Sequence, residues 1–589
     1  MTVLIALGAA VFYLIAYHTY GRWLGRKVFK IDPARQTPAN EFRDDTDFLP
    51  TRRGILFGHH YTSIAGTGPI VGPAIAIIWG WLPALLWVLI GSVLMGAVHD
   101  FGALIVSERH QGRSIADVAA KIIGRRAMLL MMILVFIALM ILLAVFVLVI
   151  ANIFELYPQA VFPVWMQIPI AVGLGFLLYR RHARPLLWTV IAVLLMYATV
   201  VVGAWMPLTM PTVLGISPLM IWLVLLFVYA FVASILPVWT LLQPRDYING
   251  YQLMVAMALL TLGVFVARPE MVADAVRPAP AGAPPLIPIL FITVACGAIS
   301  GFHSLVASGT SSKQLASERD AQFIGYGSML LEGFLAVLVL IAVGAGIGLG
   351  YREVGEGGVL QFFAGREAFL HHYANWGVAQ GLGAKVGAFV RGSANLLESY
   401  GIKENVAIAL MGMFVASFAG TSLDTAMRLQ RYIISELAGE YRIPALKGRW
   451  PATLLAAGTA ALLALIPVRD PSGALIFGKG GLLLWPLFGA SNQLVAALAL
   501  IVVTLYLEHR RAPFLVTAIP AVVMVAVTVW ALILNLQEYF STGRIHLFVI
   551  GAVLLLIEIL MIYEGVKRFR GIRREQLTGT AEQNEGLST

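Results

Sequence analysis

Charge is scarce in this chain of 589 residues, since Asp, Glu, Lys and Arg together make up only 12% of it. Ordinary soluble domains carry about 25% charged residues. Hydrophobic residues instead account for 59% of the chain, and its mean hydropathy is +0.84. These values exclude a soluble globular domain and indicate an all-α membrane protein with many spans.

Acidic residues are fewer than basic ones, and the net charge is +10. A basic chain can bind nucleic acid, but here the Lys and Arg residues form short clusters between apolar runs. This distribution is typical of residues that orient a protein in a membrane. We therefore expect a small solute and membrane lipid as partners, and no nucleic acid.

Cysteine is almost absent, since Cys296 is the only one. This excludes a disulfide framework within the chain and any multi-cysteine metal centre. Cys296 lies in an apolar segment, where a packing role is expected. No metal or cofactor is predicted beyond a coupling ion, either H⁺ or Na⁺.

Soluble catalytic signatures are missing too, because no phosphate loop, zinc-protease motif or nucleophile elbow occurs. The sequence therefore predicts neither an enzyme nor a nucleotide-driven pump. The first apolar run, 3–17, has no basic residues before it and no small-residue cleavage pattern after it. A retained helix is expected there, not a signal peptide.

Apolar runs of roughly 17–25 residues, the length that crosses a bilayer, occur about fifteen times. We place these spans at 2–19, 55–79, 81–106, 127–152, 163–179, 185–206, 217–241, 250–267, 286–310, 322–350, 404–427, 451–467, 481–506, 512–535 and 545–565. With the N-terminus outside, the connections on the cytoplasmic side hold 31 of the 41 Lys and Arg residues. The positive-inside rule thus predicts a cytoplasmic C-terminus in the inner membrane.

The spans divide the chain into four predicted parts. Residues 1–54 form an extra helix and a charged cytoplasmic connection, and 55–427 form a ten-helix transport core. Residues 428–565 add four helices, and 566–589 are expected to be a disordered cytoplasmic tail. Within the core, 351–403 is an extracytoplasmic excursion, for which a lid and a solvated structural cap are equally good interpretations.

The span 55–79 contains four Gly and two Pro between positions 58 and 73. A span interrupted by Gly and Pro is the best sequence indicator of a transporter's binding site. The alternative is a kinked structural helix, since Gly and Pro are common in membrane helices. We favour an unwound site whose free backbone groups and hydroxyls bind solute, with Ser63, Gly66, Thr67, Gly68 and Gly72 as its residues.

A second interruption, at 233–237 in span 217–241, suggests an inverted repeat of five plus five helices, about 55–206 and 217–427. In this arrangement the two broken helices face each other near the midplane. Ser234, Pro237 and Trp239 then complete the solute site. No residue-level repeat supports the symmetry, which rests on topology and breaks alone.

The span 286–310 is rich in small and hydroxyl residues and carries His303. Its oxygens could bind Na⁺, or His303 could take up and release a proton. Close helix packing is the alternative explanation for the small residues. The predicted coupling residues are His303, Ser304, Ser308, Thr310 and Ser311.

Ionisable residues inside spans are costly and usually functional. Glu332, His99, Asp100 and Asp424 are such residues. The predicted gating network consists of His99, Asp100 and Asp424 together with Arg245, Asp246 and Arg428, which lie in the cytoplasmic connections. Snorkelling to the interface is the alternative for Asp100 and Asp424. His59 and His60 lie at the start of the broken span, without further metal ligands that we can identify.

Several motifs across residues 17–489 resemble the carbon starvation protein CstA family. They are YHTYG at 17–21, FGHH at 57–60, IAGTGPIVGP at 64–73, AVHD at 97–100, LLQPRDY at 241–247, SGFH at 300–303, SGT at 308–310, LDTA at 423–426 and LWPLFG at 484–489. The resemblance implies a cytoplasmic-membrane transporter with a LeuT-like core. Members of this family are described as peptide-uptake proteins induced by starvation, and some as proton-driven pyruvate transporters.

Taken with this resemblance, the sequence predicts a secondary active importer, with proton-coupled uptake of pyruvate or a similar monocarboxylate as the first choice. A short peptide is the second choice, because it needs an acidic partner for its ammonium group that the breaks do not clearly offer. A membrane nutrient sensor that does not transport is the alternative of another class. The oligomeric state is left open.

Overall fold

The computed structural model describes residues 1–181, 184–354, 360–379, 382–469, 475–476, 478 and 480–578. Its longer helices and their broken partners are numbered α1 to α18 in chain order. They are α1 Thr2–Val28, α2 Arg53–Ile64, α3 Gly68–Trp79, α4 Trp81–Glu108, α5 Arg125–Leu156, α6 Pro158–Arg180, α7 Pro185–Trp205, α8 Pro218–Ile235, α9 Leu242–Ala267, α10 Leu286–Thr293, α11 Gly301–Val306, α12 Glu318–Leu349, α13 Leu382–Glu398, α14 Glu404–Glu440, α15 Arg449–Ala464, α16 Trp485–His509, α17 Leu515–Ser541 and α18 Ile545–Leu577.

Short elements connect the long helices. A π-helical turn, Ala307–Ser311, continues α11. Five short helices are Pro38–Glu41, Ile115–Ile122, Gly365–Tyr373, Trp376–Ala379 and Gly480–Leu483. Strand β1, Tyr351–Val354, pairs antiparallel with β2, Leu360–Phe363, and β3, Val468–Arg469, pairs with β4, Leu475–Ile476.

Twelve of the described helices are long and apolar enough to cross a membrane, and the bent pair α2–α3 makes a thirteenth candidate. The two other predicted spans take different forms. Segment 286–310 is divided into α10 and α11, and segment 451–467 is the 16-residue helix α15. A polytopic helical membrane protein is thus confirmed, while the count of fifteen crossings stays a prediction.

The centre of the bundle is built from helices that are buried on nearly all sides. In α14 and α16, 94% of the most apolar 18-residue window is buried, against 28% in α1 and α7. A helix surrounded by other helices needs apolar or small residues on every face. A peripheral helix can leave its outer face to lipid. The central α14 packs along α5 and also contacts α2 and α9.

The predicted interruption of the first core span is present. Helix α2 ends at Ile64, α3 begins at Gly68, and the two axes differ by 43°. Ala65 leaves the helical conformation (φ −77°, ψ 52°). Pro69 lacks an N–H group and therefore starts a helix more readily than it continues one.

The predicted partner of this break was wrong. Helix α8 ends at Ile235, Leu236 is extended, and α9 begins at Leu242, so 233–241 connects two helices and does not interrupt one. The break that faces α2–α3 lies between α10 and α11. A Cβ atom on Gly72 would lie 2.7 Å from the Thr293 carbonyl oxygen, and one on Gly68 would overlap the Cys296 thiol.

Helices α2 and α9 cross at two glycines. A Cβ atom on Gly250 would lie 2.9 Å from Gly58 Cα. Only glycine permits this approach of two backbones. The crossing brings the first turns of α9 beside the lower half of the broken helix. The prediction of residues 242–249 as a connection between two spans was wrong, because they form these first turns.

The described parts of the excursion, 351–354, 360–379 and 382–403, pack over the end of α3 that is remote from α2. Tyr373 Oη donates a 2.5 Å hydrogen bond to the Ala74 carbonyl of α3, and the ring of Trp376 packs against that of Trp79 with the centroids 5.1 Å apart. Helix α13, which belongs to the excursion, buries Phe389 and Leu397 against the bundle. A solvated cap is therefore wrong for α13, and the lid interpretation is left open.

The chain end differs from its prediction in one respect. Helix α18 continues to Leu577, so residues 566–577 of the predicted disordered tail are helical. Residues 579–589, the rest of that tail, lie outside the described part of the chain.

Candidate functional site

Polar side chains from α2, α9, α11 and α14 converge just below the break. His59 Nδ1 lies 2.6 Å from Asp246 Oδ2, and His59 Nε2 lies 3.0 Å from Thr310 Oγ1. Both members of the His59–Asp246 pair are buried. A histidine and a carboxylate at this distance form a strong buried hydrogen bond, which fixes α2 to α9 at this point.

Ser63 connects this pair to α14. Its hydroxyl donates to Asp246 Oδ2 (3.3 Å) and lies 3.1 Å from Thr425 Oγ1. Its carbonyl accepts a 2.9 Å hydrogen bond from Ser422 Oγ. A Cβ atom on Gly66 would overlap the same Ser422 hydroxyl. The break is therefore closed by α14 in this structure.

Unpaired polar groups remain at the break. Thr67 Oγ1 is buried without a hydrogen-bond partner. In the described part of the chain, the amides of Thr67 and Gly68 have no backbone acceptor either. These groups lie at the N-terminus of α3, where the helix dipole favours an anion. The unpaired groups of Thr67 and Gly68 are therefore free to bind an anion, as the predicted role of these residues requires.

A second cluster lies beside the first, on the preceding residue of both α9 and α14. Arg245 contacts both Asp424 and the Tyr229 hydroxyl, and Tyr229 Oη also donates to Asp424 Oδ2 (2.7 Å). All three side chains are enclosed by α5, α6, α8 and α14. Arg245 and Asp424 were predicted as a charge network, and the structure brings them together.

A small cavity of about 20 Å³ adjoins Arg245, with Trp165, Tyr229 and Gly420 in its lining. Trp165 Nε1 is a buried donor without a described acceptor. The cavity is large enough for a water molecule and too small for an organic solute. An arginine and an unpaired indole N–H nevertheless offer two donors to a carboxylate.

A third cluster lies behind the break, between α4, α11 and α12. His303 Nδ1 lies 3.0 Å from Asp100 Oδ2, and His99 Nδ1 lies 2.8 Å from Asp100 Oδ1. His303 Nε2 lies 3.3 Å from Glu332 Oε2, but the orientation is not that of a hydrogen bond. All four side chains are fully buried.

This third cluster has no permanent positive charge. Within the described ranges, no Lys or Arg side chain forms an ion pair with Asp100 or Glu332. Two buried carboxylates without cations are too costly to remain ionised, so they must bind protons or another cation. The Cys296 thiol, His303 and Glu332 place their ligand atoms within 4.8 Å of one another, which is a three-ligand arrangement for a metal ion.

The predicted hydroxyl ligands do not assemble around one point. Ser304 donates to the Gly301 carbonyl (2.7 Å) and Ser308 to the Ser304 carbonyl (2.6 Å). Ser311 lies 2.7 Å from His60 Nδ1, while Thr310 binds His59. These hydroxyls are occupied by helix carbonyls and histidines, which leaves the sodium hypothesis without a preformed oxygen cage.

The residues of the second predicted break lie elsewhere. Ser234 is buried with an unpaired hydroxyl near the end of α8. Trp239 packs 6.3 Å from Tyr179, under the Arg180 guanidinium. Pro237 belongs to the connection between α8 and α9. This connection contacts a charged residue of α14, since its Leu236 carbonyl accepts a hydrogen bond from Arg428. No described hydrogen bond joins it to 63–72.

Charged residues join the connection before α2 to the lower part of α14. Asp47 accepts hydrogen bonds from Tyr432 (2.5 Å) and Arg428 (3.1 Å), and Arg431 lies 3.7 Å away. Arg428 also contacts the Leu236 carbonyl. Burial alone would raise the pKa of Asp47, but Arg428, Lys313 and Arg431 more than offset it and hold this pKa below 3.8. Asp47 therefore stays ionised near neutral pH.

The sequence prediction gave no role to several residues at the site. His59 contacts the predicted Asp246, Thr425 contacts the predicted Ser63, and Trp165 and Tyr229 border Arg245. The double histidine at the start of the broken span was a usable signal. Trp165, Tyr229 and Asp47 gave none, because an aromatic residue in a span or an acid in a connection is common.

Comparisons with known proteins agree with the resemblance found in the sequence motifs. A family model described as carbon starvation protein CstA matches residues 1–531. The pyruvate/proton symporter BtsT of Escherichia coli K12 is 35% identical over 92% of this chain and 82% of its own. The peptide transporters CstA of Helicobacter pylori J99 and of E. coli K12 are 34% and 33% identical, each over 91% of this chain and 82% and 81% of their own.

Solved structures resemble the chain more distantly. A mutant form of a manganese transporter of Eremococcus coleocola matches with a TM-score of 0.44 at 12% identity over 90% of this chain and 99% of its own. MhsT bound to L-phenylalanine matches with a TM-score of 0.44 at 11% identity, over 87% of this chain and 98% of its own. Scores at this level leave the five-plus-five repeat a prediction.

Proposed function

Because the chain belongs to the carbon starvation protein CstA family, we propose that it is a proton-coupled importer of pyruvate or a similar small monocarboxylate. Solute binds between the α2–α3 break, α9 and α14, and the proton binds at the cluster behind the break. The cytoplasmic membrane, an N-terminus outside and a ten-helix inverted-repeat core are parts of this proposal. The positive-inside distribution of Lys and Arg supports the orientation.

One observation carries the coupling: His303 lies between two buried carboxylates, Asp100 and Glu332, and directly behind the break. Such a cluster changes its proton count when its access to water changes. A conformational change at the break would move the helix that carries His303. Proton binding and opening of the solute site are then linked. Na⁺ is the weaker candidate, because the hydroxyls of α11 are already used.

The substrate class rests on Arg245. A carboxylate can take the place of Asp424 beside Arg245 and accept a hydrogen bond from Trp165 Nε1. Arginine binds carboxylates with two parallel hydrogen bonds. The cavity of about 20 Å³ must widen before pyruvate can enter, so binding requires the helices that line it to move apart.

Short peptides are the second candidate, and Asp246 favours them. From the sequence, a monocarboxylate is a better candidate than a peptide partly because the breaks do not clearly offer an acidic partner for an ammonium group. Asp246 supplies one, since its Oδ1 atom is buried and unpaired and its Oδ2 atom contacts Ser63. With Arg245 next to it, the site offers one group for each end of a peptide.

Uptake into proteoliposomes containing the full chain tests both candidates. We expect ¹⁴C-pyruvate to accumulate under an inward proton gradient and not under a sodium gradient. Arg245→Gln should abolish this uptake, and Asp246→Asn should leave pyruvate affinity nearly unchanged. Accumulation of a dipeptide that Asp246→Asn abolishes would establish the peptide alternative. Binding without accumulation under either gradient would overturn transport and favour a nutrient sensor.

A further inference from the structure

A groove lies between the final three helices, and none of its lining residues belongs to the site described above. Its volume is about 750 Å³, within the range of small-molecule sites in proteins. Helices α16, α17 and α18 form its walls, with Leu505, Ala518, Val522 and Ile562 among the lining residues. These side chains are apolar, so the groove favours a hydrocarbon occupant.

One end of the groove is strongly basic. Arg570, Arg573 and Arg574 line it there, at the end of α18. Arg573 is held in place: its Nε atom donates to Glu508 Oε1 (3.0 Å), and its guanidinium lies 5.0 Å from the Phe569 ring and 5.7 Å from the Phe514 ring. In the described ranges, Arg570 and Arg574 have no ion-pair partner.

The length of the groove matches one leaflet of a bilayer. Ile562 and Arg574 are twelve positions apart on α18, or roughly 18 Å at the helical rise of 1.5 Å per residue. Half of a hydrocarbon core about 30 Å thick is about 15 Å. An acyl chain lying along the groove would thus begin near the arginines and end close to the midplane.

We propose that this groove is a binding site for an anionic phospholipid of the leaflet that faces Arg570 and Arg574. The phosphate group pairs with these two guanidiniums, and one acyl chain fills the apolar part between α17 and α18. Arg573 is already paired with Glu508, and it lines the basic end of the groove beside the other two arginines. The proposal is independent of the transported solute, because the groove lies outside the α2–α14 site.

The chemistry distinguishes this occupant from others. Basic pockets between transmembrane helices on the cytoplasmic side bind anionic headgroups, with each Lys or Arg contributing about 1 kcal/mol. A soluble phosphate would gain nothing from the apolar walls. A zwitterionic lipid would fill those walls but would gain less from the two arginines. Retention of one anionic lipid therefore needs both halves of the groove.

Native mass spectrometry of the purified full chain tests the site. The protein is mixed with equal amounts of phosphatidylglycerol and phosphatidylcholine, and retained lipids are counted. We expect phosphatidylglycerol to be retained about tenfold more strongly, and the double variant R570Q/R574Q to lose this preference. The matched control R442Q/K447Q removes the same charge from the exposed connection between α14 and α15 and should keep it.

Two further arms separate the halves of the site. Ala518→Phe fills the apolar part and should reduce phosphatidylglycerol retention, while unfolding temperature reports whether each variant folds. Glycerol phosphate added in excess should not displace the lipid. Equal retention of both lipids, an unaffected R570Q/R574Q variant, or displacement by glycerol phosphate would overturn the proposal. A dimer that Ala518→Phe dissociates would overturn it too, since the occupant would then be a second copy.

Discussion

At the scale of single residues, His303 has the most demanding position. It lies between Asp100 and Glu332, fully buried, on the first turn after the break between α10 and α11. A neutral amide of similar size can accept and donate hydrogen bonds there but cannot take up a proton. Replacing His303 by such an amide therefore tests its role in proton transfer while keeping its capacity for hydrogen bonding.

We expect His303→Gln to abolish proton-driven accumulation of solute and to leave counterflow exchange partly intact. Exchange needs the solute site to alternate, whereas accumulation needs the proton. Paired measurements of gradient-driven uptake and counterflow in proteoliposomes check this. His509→Ala, which alters an exposed histidine at the end of α16, is the control. Normal accumulation in His303→Gln would remove His303 from the coupling mechanism.

Gly66 offers a sharper test of the closed break. Even one methyl group there would overlap Ser422 Oγ, and overpacking of this kind costs typically about 1–3 kcal/mol. We therefore expect Gly66→Ala to weaken solute binding roughly tenfold or more by preventing closure of α14 over the break.

The neighbouring helix supplies the controls for this prediction. Gly54, on α2, has no neighbour within 4 Å of an added Cβ atom, so Gly54→Ala should bind solute normally. The double variant Gly66→Ala/Ser422→Gly should recover most of the affinity. Isothermal titration of the three variants decides the matter, and normal affinity in Gly66→Ala would place the solute elsewhere.

At the scale of elements, the connection before α2 is fastened to α14 by Asp47. Because the folded-state pKa of Asp47 is lowered, its stabilising contribution is fully present above the ordinary value of 3.8 and is lost only as pH falls through the lower folded value. We expect amide exchange of residues 43–51 to be independent of pH from about 5 to 8, after correction for intrinsic rates. Asp47→Asn should speed this exchange at every pH.

A pH-dependent exchange in wild type that disappears in Asp47→Asn would contradict this. It would mean that Asp47 titrates in the physiological range. Arg43→Gln, whose ion pair with Asp45 is largely exposed, serves as the control and should change little, since such surface pairs contribute about 0–1 kcal/mol.

The excursion 351–403 can be tested as a lid. Arg366 donates two hydrogen bonds to Asp274 (2.8 and 3.1 Å), which joins the excursion to the connection between α9 and α10. We expect a reducible bifunctional thiol reagent across Arg366→Cys and Asp274→Cys, in a Cys296→Ser background, to stop uptake. Reduction should restore it. Uptake that continues in the cross-linked protein would make the excursion a fixed cap.

The two broken helices show what sequence alone could and could not predict. The first break was predictable, because Gly66, Gly68 and Pro69 cannot extend a membrane helix without loss. Its partner was not, because Leu236 and Pro237 look like a break while they end α8. The true partner, 294–300, contains no proline, and its Cys, Gly and Ser residues suit close packing equally well.

At the scale of the whole molecule, most helices follow from hydropathy, since each must bury about twenty apolar residues. The clusters do not, because they join residues hundreds of positions apart, such as Ser63 and Thr425. Which ionisable residues meet depends on helix rotation and crossing angle. Gly58 and Gly250 set one such crossing, and a lone glycine in a membrane span is too common to reveal it.

The number of crossings gives a prediction for the whole chain. If α10 with α11 and the short α15 each cross, there are fifteen crossings and the termini lie on opposite sides. We expect a green fluorescent protein fused after Leu577 to fluoresce, and alkaline phosphatase fused before Met1 to be active. Reporter fusions truncated after Glu440 and after Ser541 show whether α15 crosses the membrane. The two positions lie on opposite sides if α15, α16 and α17 all cross, and on the same side if α15 does not. Both termini on one side would refute fifteen crossings.

The glycine contact between α2 and α9 has a consequence for ion leak. Since Gly58 and Gly250 touch backbone to backbone, a movement of α2 also moves α9, which bears Arg245 and Asp246. The ion pair between Arg245 and Asp424 of α14 must then separate. Breaking a buried ion pair without replacement costs several kcal/mol. Under the proposed function, a substrate carboxylate on Arg245 supplies the replacement. An empty protein would then reorient slowly, and a coupled proton gradient would be spared when no solute is present.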